Sequence, residues 1–299
     1  MNELAPIVLF TYKRLDTLKL TLDALSNNFS AIESELYIFS DGPKTLEDQN
    51  IINDIRKYLK TVTGFKSINI IESPNNKGLA KSIIEGVTKI ISIYGKAIVL
   101  EDDLITSKNF LNFMNFGLNR YKTNNEIFSI SGYTFDFSKN ALKHDGYFLN
   151  RSASWGWATW KNRWEIIDWE MKEYNLFEKN NSMKKEFSKL GSDVNKMLTD
   201  QMNGKIDSWY IRAIFHQYKI KGLTLYPSIS KIENHGFDLF ATNTKGLLKR
   251  YKTVLDTSNK TNFELPHELK LNEKYQLLFQ KKMGYFERIV NKFLETINF

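Results

Sequence analysis

Residues 97–103 read Ala-Ile-Val-Leu-Glu-Asp-Asp, an apolar run that ends in three consecutive carboxylates, Glu101, Asp102 and Asp103. Uninterrupted apolar residues predict a strand buried on both faces, the habit of parallel sheets covered by helices. Three like charges at its end repel one another unless a cation sits among them. The carboxyl edge of a parallel sheet is also where open α/β folds hold their ligands. Mg²⁺ and Mn²⁺ prefer oxygen ligands of this kind and share them with substrate phosphates. Two readings are open at this point. One is a metal–diphosphate site; the other is a solvated acidic turn leading into the next helix, whose N-terminus favours negative charge.

Outward from this stretch, strand-like and helix-like segments alternate. Residues 7–10, 36–39 and 67–71 read as further apolar strands. Leu15, Leu18, Leu22 and Leu25 recur at helical spacing, and residues 48–60 read as a helix. Residues 79–93 place Leu79, Ile83, Val87 and Ile90 on one helical face, and residues 109–121 read as another helix. Ser40-Asp41-Gly42-Pro43 and residues 73–78 carry turn chemistry. This order predicts an α/β fold, a mostly parallel sheet with helices on both faces.

After about residue 125 the rhythm changes. Residues 127–131 and 147–149 read as strands. Five of the six tryptophans then fall between positions 155 and 169. Trp160 and Trp164, four apart, are expected on one helix face in the core. Residues 170–205 are polar and read as helical, residues 207–219 as a helix with Asp207 as its N-cap, and residues 223–226 as a short strand. Turn formers crowd residues 234–244. Residues 245–272 lack periodicity and are expected to run over the surface. The tail sets Phe286, Ile289, Val290, Phe293, Leu294 and Ile297 on one helical face.

Bulk properties narrow the classes. The 299 residues suffice for one large domain or a domain with an appended lobe. Absence of cysteine removes disulfides, thiolate metal sites and cysteine nucleophiles, and fits a reducing compartment. No secretory signal and no membrane-spanning run is visible, so a cytoplasmic protein is expected. The net charge of +8 suits phosphorylated substrates, anionic lipid or nucleic acid. The lysines are scattered without an arginine-rich tract, which argues against nucleic acid.

Four motifs occur in order, each after a strand-like run: PIVLFTYKR at 6–14, SDG at 40–42, NNKGLA at 75–80 and VLEDDL at 99–104. The set resembles the nucleotide-sugar-binding half of GT-A glycosyltransferases, with likeness to N-acetylglucosaminyltransferase I and bacterial glycosyltransferase family 2-like enzymes. WGWATWKNRW at 155–164 resembles a segment of bacterial sugar transferases with that arrangement. The resemblance covers roughly residues 5–240. It implies a GT-A (Rossmann-like) fold with a mixed, partly helical acceptor-side lobe. Residues 1–125 would form the nucleotide-sugar half, 126–244 the acceptor and catalytic half, and 245–299 a C-terminal extension. A nucleotide-sugar donor (UDP-linked in the first instance), Mn²⁺ or Mg²⁺, and inversion at the anomeric carbon are implied with it.

Carried onto this chain, the resemblance makes Asp103 the metal ligand, with Glu101 and Asp102 near ribose, metal-bound water or donor hydroxyls. Thr11 and Tyr12 would meet the base and Arg14 a phosphate, the alternative being a helix-entry turn with solvated charges. Asp41 would accept from the base, the alternative being an ordinary Asp-Gly turn. Asn76 and Lys81 belong to a turn and helix start that favour anions, or simply to a strand–helix turn. His235 is a candidate metal ligand or leaving-group partner, or else a satisfied histidine. Asp207 matches the base-bearing helix of relatives, although Ser208 stands where many carry a second acid; Asp200 is the competing base. Trp155 and Gly156 are expected nearest the sugar, since aromatic rings pack on the C–H faces of sugars, with core packing as the alternative. Thr242-Asn243-Thr244 would lie on a loop that orders with donor.

The expected activity is transfer of a sugar to a glycan or lipid-linked glycan in polysaccharide biosynthesis. Peripheral membrane contact through the C-terminal helix, docking of that helix on the body and pairing with a second subunit all remain open. A nucleotidyltransferase making nucleotide sugars is the alternative enzyme, and would open with a glycine-rich loop after strand one. The non-enzyme alternative is an inactive carbohydrate-binding protein of the same fold.

Overall fold

A computed structural model describes residues 3–137, 143–236 and 251–290. The first half comprises β1 (Ile7–Thr11), α1 (Leu15–Ser26), β2 (Glu35–Ser40), α2 (Asp48–Leu59), β3 (Ser67–Glu72), α3 (Leu79–Tyr94) and β4 (Lys96–Glu101). A short β5 (Leu104–Thr106) and α4 (Phe110–Arg120) follow, then β6 (Ile127–Ser131), β7 (Gly146–Leu149), β8 (Trp157–Trp160) and α5 (Lys161–Trp164). Three short helices, α6 (Tyr174–Glu178), α7 (Asn181–Ser188) and α8 (Val194–Met202), lead to α9 (Trp209–Lys219). The chain then forms β9 (Leu223–Pro227), β10 (Ile232–Asn234) and α10 (Glu273–Lys282).

The central sheet has the order β3-β2-β1-β4-β8-β6-β9-β7. Strands β1 to β4 are mutually parallel. β8 runs antiparallel to β4 and β6, while β9 is parallel to β6 and β7 antiparallel to β9. Among the described strands of this sheet, only β8 and β7 therefore run against the rest. The expected α/β architecture with a mostly parallel sheet is present.

Strand β1 shows why its sequence is apolar throughout. Ile7 and Leu9 join the core with Leu18, Leu22 and Leu25 of α1, whereas Val8 and Phe10 join Ile83, Val87 and Ile90 of α3 on the opposite face. Successive side chains alternate across a strand, so a strand covered on both sides must be apolar at each position.

Two expectations about the second half are corrected. Trp160 and Trp164 do not share a helix face. Trp160 ends β8 and its Nε1 donates to the Leu118 carbonyl of α4, while Trp164 lies in α5 and its Nε1 donates to Thr88 Oγ1 of α3. The chain changes from strand to helix between them, so their four-residue spacing does not describe one helical surface. The N-cap of α9 is Ser208, whose side chain accepts from the Ile211 N–H, and not Asp207.

The stretch after residue 250 runs largely over the surface, as expected, but a few side chains pin it to the core. Phe263 and Leu265 are buried, and Phe263 meets Phe113 of α4 edge-on at 5.2 Å. Buried Lys231 and Asp256 form an ion pair that ties this segment to the approach to β10. Tyr275, Phe279 and Met283 complete the same core.

The helices α6 to α9 have a separate cluster built on Phe177, Phe187, Leu198, Ile211 and Phe215. Residues 285–290 are helical, and there Phe286 is 76% exposed and Ile289 is exposed. Phe286 and Ile289 of the expected apolar face thus stand open and Val290 is half-buried; Phe293, Leu294 and Ile297 lie outside the described residues. No described helix is long and apolar enough to cross a membrane.

Candidate active site

The chain runs outward from β1 to β2 and β3, then returns through α3 to β4 on the other side of β1. The strand order reverses between β1 and β4, and in open α/β sheets the crevice at such a reversal binds ligands. The register pairs Phe10 with Glu101, which brings residues 11–14 and 101–103 to the same carboxyl edge. There the first and fourth sequence motifs meet.

Asp102 is buried and holds the loop after β1. Its Oδ2 accepts from Thr11 Oγ1 at 2.7 Å and from the Tyr12 N–H at 3.1 Å. Tyr12 turns its hydroxyl to Asp48 of α2, donating to Oδ2 at 2.6 Å, while the Lys13 ammonium takes Oδ1 at 3.1 Å. Burial first, then the bond to Asp48, pushes Tyr12 up to about 12, and the same bond pulls Asp48 down to about 2. Asp48 was not foreseen as part of this region. Its carboxylate also accepts from the Thr45 N–H at 3.3 Å, just before α2.

Arg14 and Asp103 form an ion pair across the crevice, Nη1 to Oδ2 at 2.9 Å, with both side chains mostly buried. Glu101 lies beside them, half-buried. Burial, then the charges of Asp103 and Asp102, push Glu101 up to about 8. Asp102 is raised to about 6 by burial and by Asp103, against the opposing pull of Thr11, Tyr12 and Arg14. Of the three carboxylates, Asp103 pairs directly with the Arg14 guanidinium, Asp102 holds the loop after β1, and Glu101 feels both neighbouring charges.

β10 pairs antiparallel with β5 and carries its end over this cluster. The His235 N–H donates to the Asp103 carbonyl at 2.8 Å. Gly236 follows so closely that a Cβ built on it would stand 2.0 Å from Asp103 Oδ2. The His235 imidazole is half-exposed and faces Glu233, Nε2 to Oε2 at 3.5 Å. The importance of Gly236 was not legible in the sequence, because the contact joins positions far apart in the chain. Thr242-Asn243-Thr244 lies outside the described residues.

Asp41 ends β2 as a clamp. Its carboxylate accepts from the backbone N–H groups of Gly42, Lys77 and Gly78 and from Asn76 Nδ2, at 2.9–3.1 Å. The second and third motifs therefore meet each other: Asp41 organises the turn that contains Asn76. Arg56, not foreseen, closes the same corner through the Ser73 carbonyl at 2.6 Å and Glu72 at 3.5 Å. A cavity of about 210 Å³ lies beside it, lined in part by Phe39, Asp41, Ile71, Lys77 and Gly86 and not by the acidic triplet. Lys81 is exposed on α3 and pairs with Glu85.

The antiparallel register of β8 with β4 pairs Trp157 with Val99, so Trp155 and Gly156 lie just before β8, toward the carboxyl edge. Trp155 is half-buried and packs edge-on against Tyr133 at 4.6 Å and Tyr251 at 5.1 Å. Gly156 (φ +57°) faces the core, where a Cβ would strike Ile232 at 2.7 Å. Trp157 stacks on both Trp164 and Trp209 and is buried.

Trp209 links the start of α9 to the strand beside β4. Asp207, two residues earlier, is 66% exposed and pairs with Arg212 at 2.8 Å. Asp200 pairs with Lys196. No hydrogen bond joins Asp207 or Asp200 to the acidic triplet.

The donor set at the crevice is all oxygen, Asp103 with Glu101 beside it. No group of three or more His, Cys, Asp or Glu side chains suited to a metal ion occurs among the described residues. This chemistry fits a hard divalent cation that takes one or two carboxylates and completes its shell with substrate phosphates, and it does not fit an all-protein cage.

No family model and no curated protein matches the chain. Among solved structures it is similar to the mannosyltransferase PcManGT from Pyrobaculum calidifontis in complex with GDP-Man and Mn²⁺. That match has 8% identity and a TM-score of 0.37 over 56% of this chain and 48% of the other. It is also similar to S. aureus TarS, at 12% identity and TM-score 0.33 over 47% and 23% of the two chains. TarS 1–349 gives 10% identity and TM-score 0.31 over 42% and 34%. The chain thus spans about half or less of each of these proteins. Likeness at this level assigns neither family nor activity.

Proposed function

We propose that the protein is a glycosyltransferase of the GT-A kind, moving a sugar from a nucleotide-sugar donor to a glycan or lipid-linked acceptor. The observation that carries this reading is the Arg14–Asp103 pair at the strand-order reversal, flanked by Glu101 and by the loop that Asp102 holds. A guanidinium and carboxylates at that point suit a diphosphate and the divalent cation that accompanies it. Mn²⁺ or Mg²⁺ at Asp103, with His235 as a further candidate, would screen charge on the departing diphosphate.

In the proposed reaction the acceptor hydroxyl oxygen attacks the anomeric carbon as the bond to the diphosphate oxygen breaks. The electron pair of that bond leaves with the nucleoside diphosphate. The hydroxyl proton passes to a carboxylate, Asp207 or alternatively Asp200, and the anomeric centre inverts. Exposure of Asp207 beside Arg212 suits an acceptor arriving from solvent. Arg14 binds the diphosphate, Thr11 and Tyr12 border the base, and Trp155 offers an aromatic edge toward the sugar. Asp41 and Asn76 act on the donor side through the turn they hold, and Lys81 adds positive charge one helical turn beyond.

Within this reading, residues 1–125 form the donor half, 126–244 the acceptor half and 245–299 the extension. A UDP donor, a role in bacterial polysaccharide assembly and a cytoplasmic location remain part of the proposal. Peripheral contact with the membrane is included on the strength of exposed Tyr285, Phe286 and Ile289. The absence of a glycine-rich loop between β1 and α1 weighs against a nucleotidyltransferase. One observation favours a second reading, a carbohydrate-binding protein of this fold without chemistry: Asp103 is already engaged by Arg14.

Thermal stabilisation by UDP, GDP and CMP compounds, each with and without Mn²⁺, separates these readings. Metal-dependent stabilisation by one nucleotide supports the donor site. No shift with any nucleotide overturns it, and sugar binding without nucleotide binding selects the second reading.

A further inference from the structure

We propose that the protein pairs with a second copy of itself through β3, edge to edge, as an antiparallel extension of the central sheet. Sugar transfer plays no part in this pairing. β3 ends the sheet, with β2 on one side and no further described strand on the other. Free edges of this kind are usually blunted by Lys, Pro, a bulge or brevity. β3 has none of these. Its six residues, Ser67–Glu72, run in unbroken register with β2 and carry three isoleucines and one charge, at the end.

Backbone and side chains both restrict how two copies meet. The Asp41 N–H donates to the Thr11 carbonyl and the Ser73 N–H to the Ser40 carbonyl. Backbone groups alternate in direction along a strand, so the odd-numbered residues of β3 face β2. Ile68, Ile70 and Glu72 therefore turn their amides and carbonyls outward. Outward groups must meet outward groups, so even-numbered residues oppose even-numbered ones. Centred on Ile70, two copies set Ile68 against Glu72; centred on Ile68, they set Ile70 against Lys66. Centred on Asn69, they set Ile68 against Ile70 and bring Lys66 level with Glu72 at both ends. Ile68 and Ile70 already join the core that holds Ile55 and Leu59 of α2, while Asn69 is exposed on the other face. Lys66, whose N–H turns back to the Ser34 carbonyl, just precedes the strand. Lys66 and Glu72 are exposed, in pairs with Glu35 at 3.2 Å and Arg56 at 3.5 Å, and both reach the edge. Opposite charges across two strands favour one register over its neighbours. The two-fold axis at Asn69 repeats each contact, as an isologous interface requires. Antiparallel pairing also turns the two Asp103 crevices to opposite ends of the joined sheet.

The test reads the mass of the full chain in solution by sedimentation equilibrium at rising concentration, with circular dichroism to establish that each variant is folded. Wild type is expected to approach twice the 35.0 kDa of one chain. The sequence contains no cysteine, so a single introduced thiol reports one position. In the Asn69-centred register the two Asn69 residues form a non-hydrogen-bonded pair with Cα atoms about 4.5 Å apart, within the span of a disulfide. Asn69→Cys is expected to give a covalent dimer under mild oxidation, and Ser188→Cys, exposed on α7, is not. Lys66→Glu and Glu72→Lys each set like charges opposite one another and are expected to weaken the dimer roughly tenfold. The two substitutions together restore it.

A monomer at every concentration overturns the proposal. A dimer that cross-links no faster through Asn69→Cys than through Ser188→Cys uses another surface and also overturns it. Failure of the folded, doubly substituted chain to regain the dimer excludes this register, and the proposal with it.

Discussion

The Cα of Gly236 sits directly against the carboxylate of Asp103, leaving no room for a side chain between them. This is a close approach rather than a special turn, and it fixes how far the end of β10 descends on the acidic edge. Gly236→Ala must therefore move either the carboxylate or residues 235–236. The expected outcome is loss of Mn²⁺-dependent nucleotide binding, read by thermal stabilisation with and without the metal. Unchanged metal-dependent binding in Gly236→Ala would show that the carboxylate position is immaterial to the site.

Asp41 accepts hydrogen bonds from four neighbouring residues and is nearly inaccessible to solvent. Asp41→Ala leaves those donors without a common acceptor. A loss of about 2–4 kcal/mol in stability is expected, given that bonds to charged groups are worth more than neutral ones and stranded donors are penalised. Denaturant unfolding measures it. A loss below about 1 kcal/mol would mean that water replaces the carboxylate without difficulty.

Ser208, not Asp207, caps α9, and the two residues separate stability from catalysis. Ser208→Ala is expected to lower stability by about 1 kcal/mol, the usual worth of an N-cap. Asp207→Asn removes an exposed ion pair and is expected to change stability by less than about 1 kcal/mol. If Asp207 is the base, that variant retains nucleotide binding and loses sugar transfer; full turnover in Asp207→Asn moves the role to Asp200 or elsewhere.

Glu101 predicts an unusual pH dependence of stability in metal-free protein. Its folded-state value, about 8, is higher than that of an unfolded glutamate, through burial first and then the neighbouring carboxylates. Folded protein therefore holds the proton more tightly than unfolded protein. The stabilising contribution is complete below the unfolded value and is lost as pH rises through about 8. Asp102 adds a smaller loss of the same sign, complete by about 6. Glu101→Gln in chelator is expected to flatten the fall in unfolding midpoint between about pH 6 and pH 8. An equal slope in both proteins would place the proton elsewhere.

Local patterns were sufficient for some elements and insufficient for others. The apolar runs of β1 and β4 and the leucine spacing of α1 were readable because a strand covered on both faces and a helix covered on one leave distinct periods. The Trp160–Trp164 pair failed that test, since the spacing of two residues does not reveal a strand ending between them. Burial of Phe263 and Leu265 was hidden because irregular segments have no period to read.

At the candidate site the acidic triplet and the loop after β1 were recognisable as partners in one edge, because each follows a buried strand. Their pairing was not: Asp102 with Thr11, Asp103 with Arg14 and Asp41 with the backbone of the turn at 75–78 each join groups far apart in the chain.

By itself the amino-acid sequence determined the α/β alternation, the buried strands and the gathering of carboxylates at the end of one of them. These follow from hydrophobic period and chain order, which are local properties. Tertiary structure alone decided which carboxylate faces a cation, which serves as a clamp and how near Gly236 stands to Asp103. Those outcomes depend on the strand order β2-β1-β4 and on the return of β10 to β5. Charges distant along the chain acquire their partners, and the protonation that follows, only when the sheet brings them within hydrogen-bond reach.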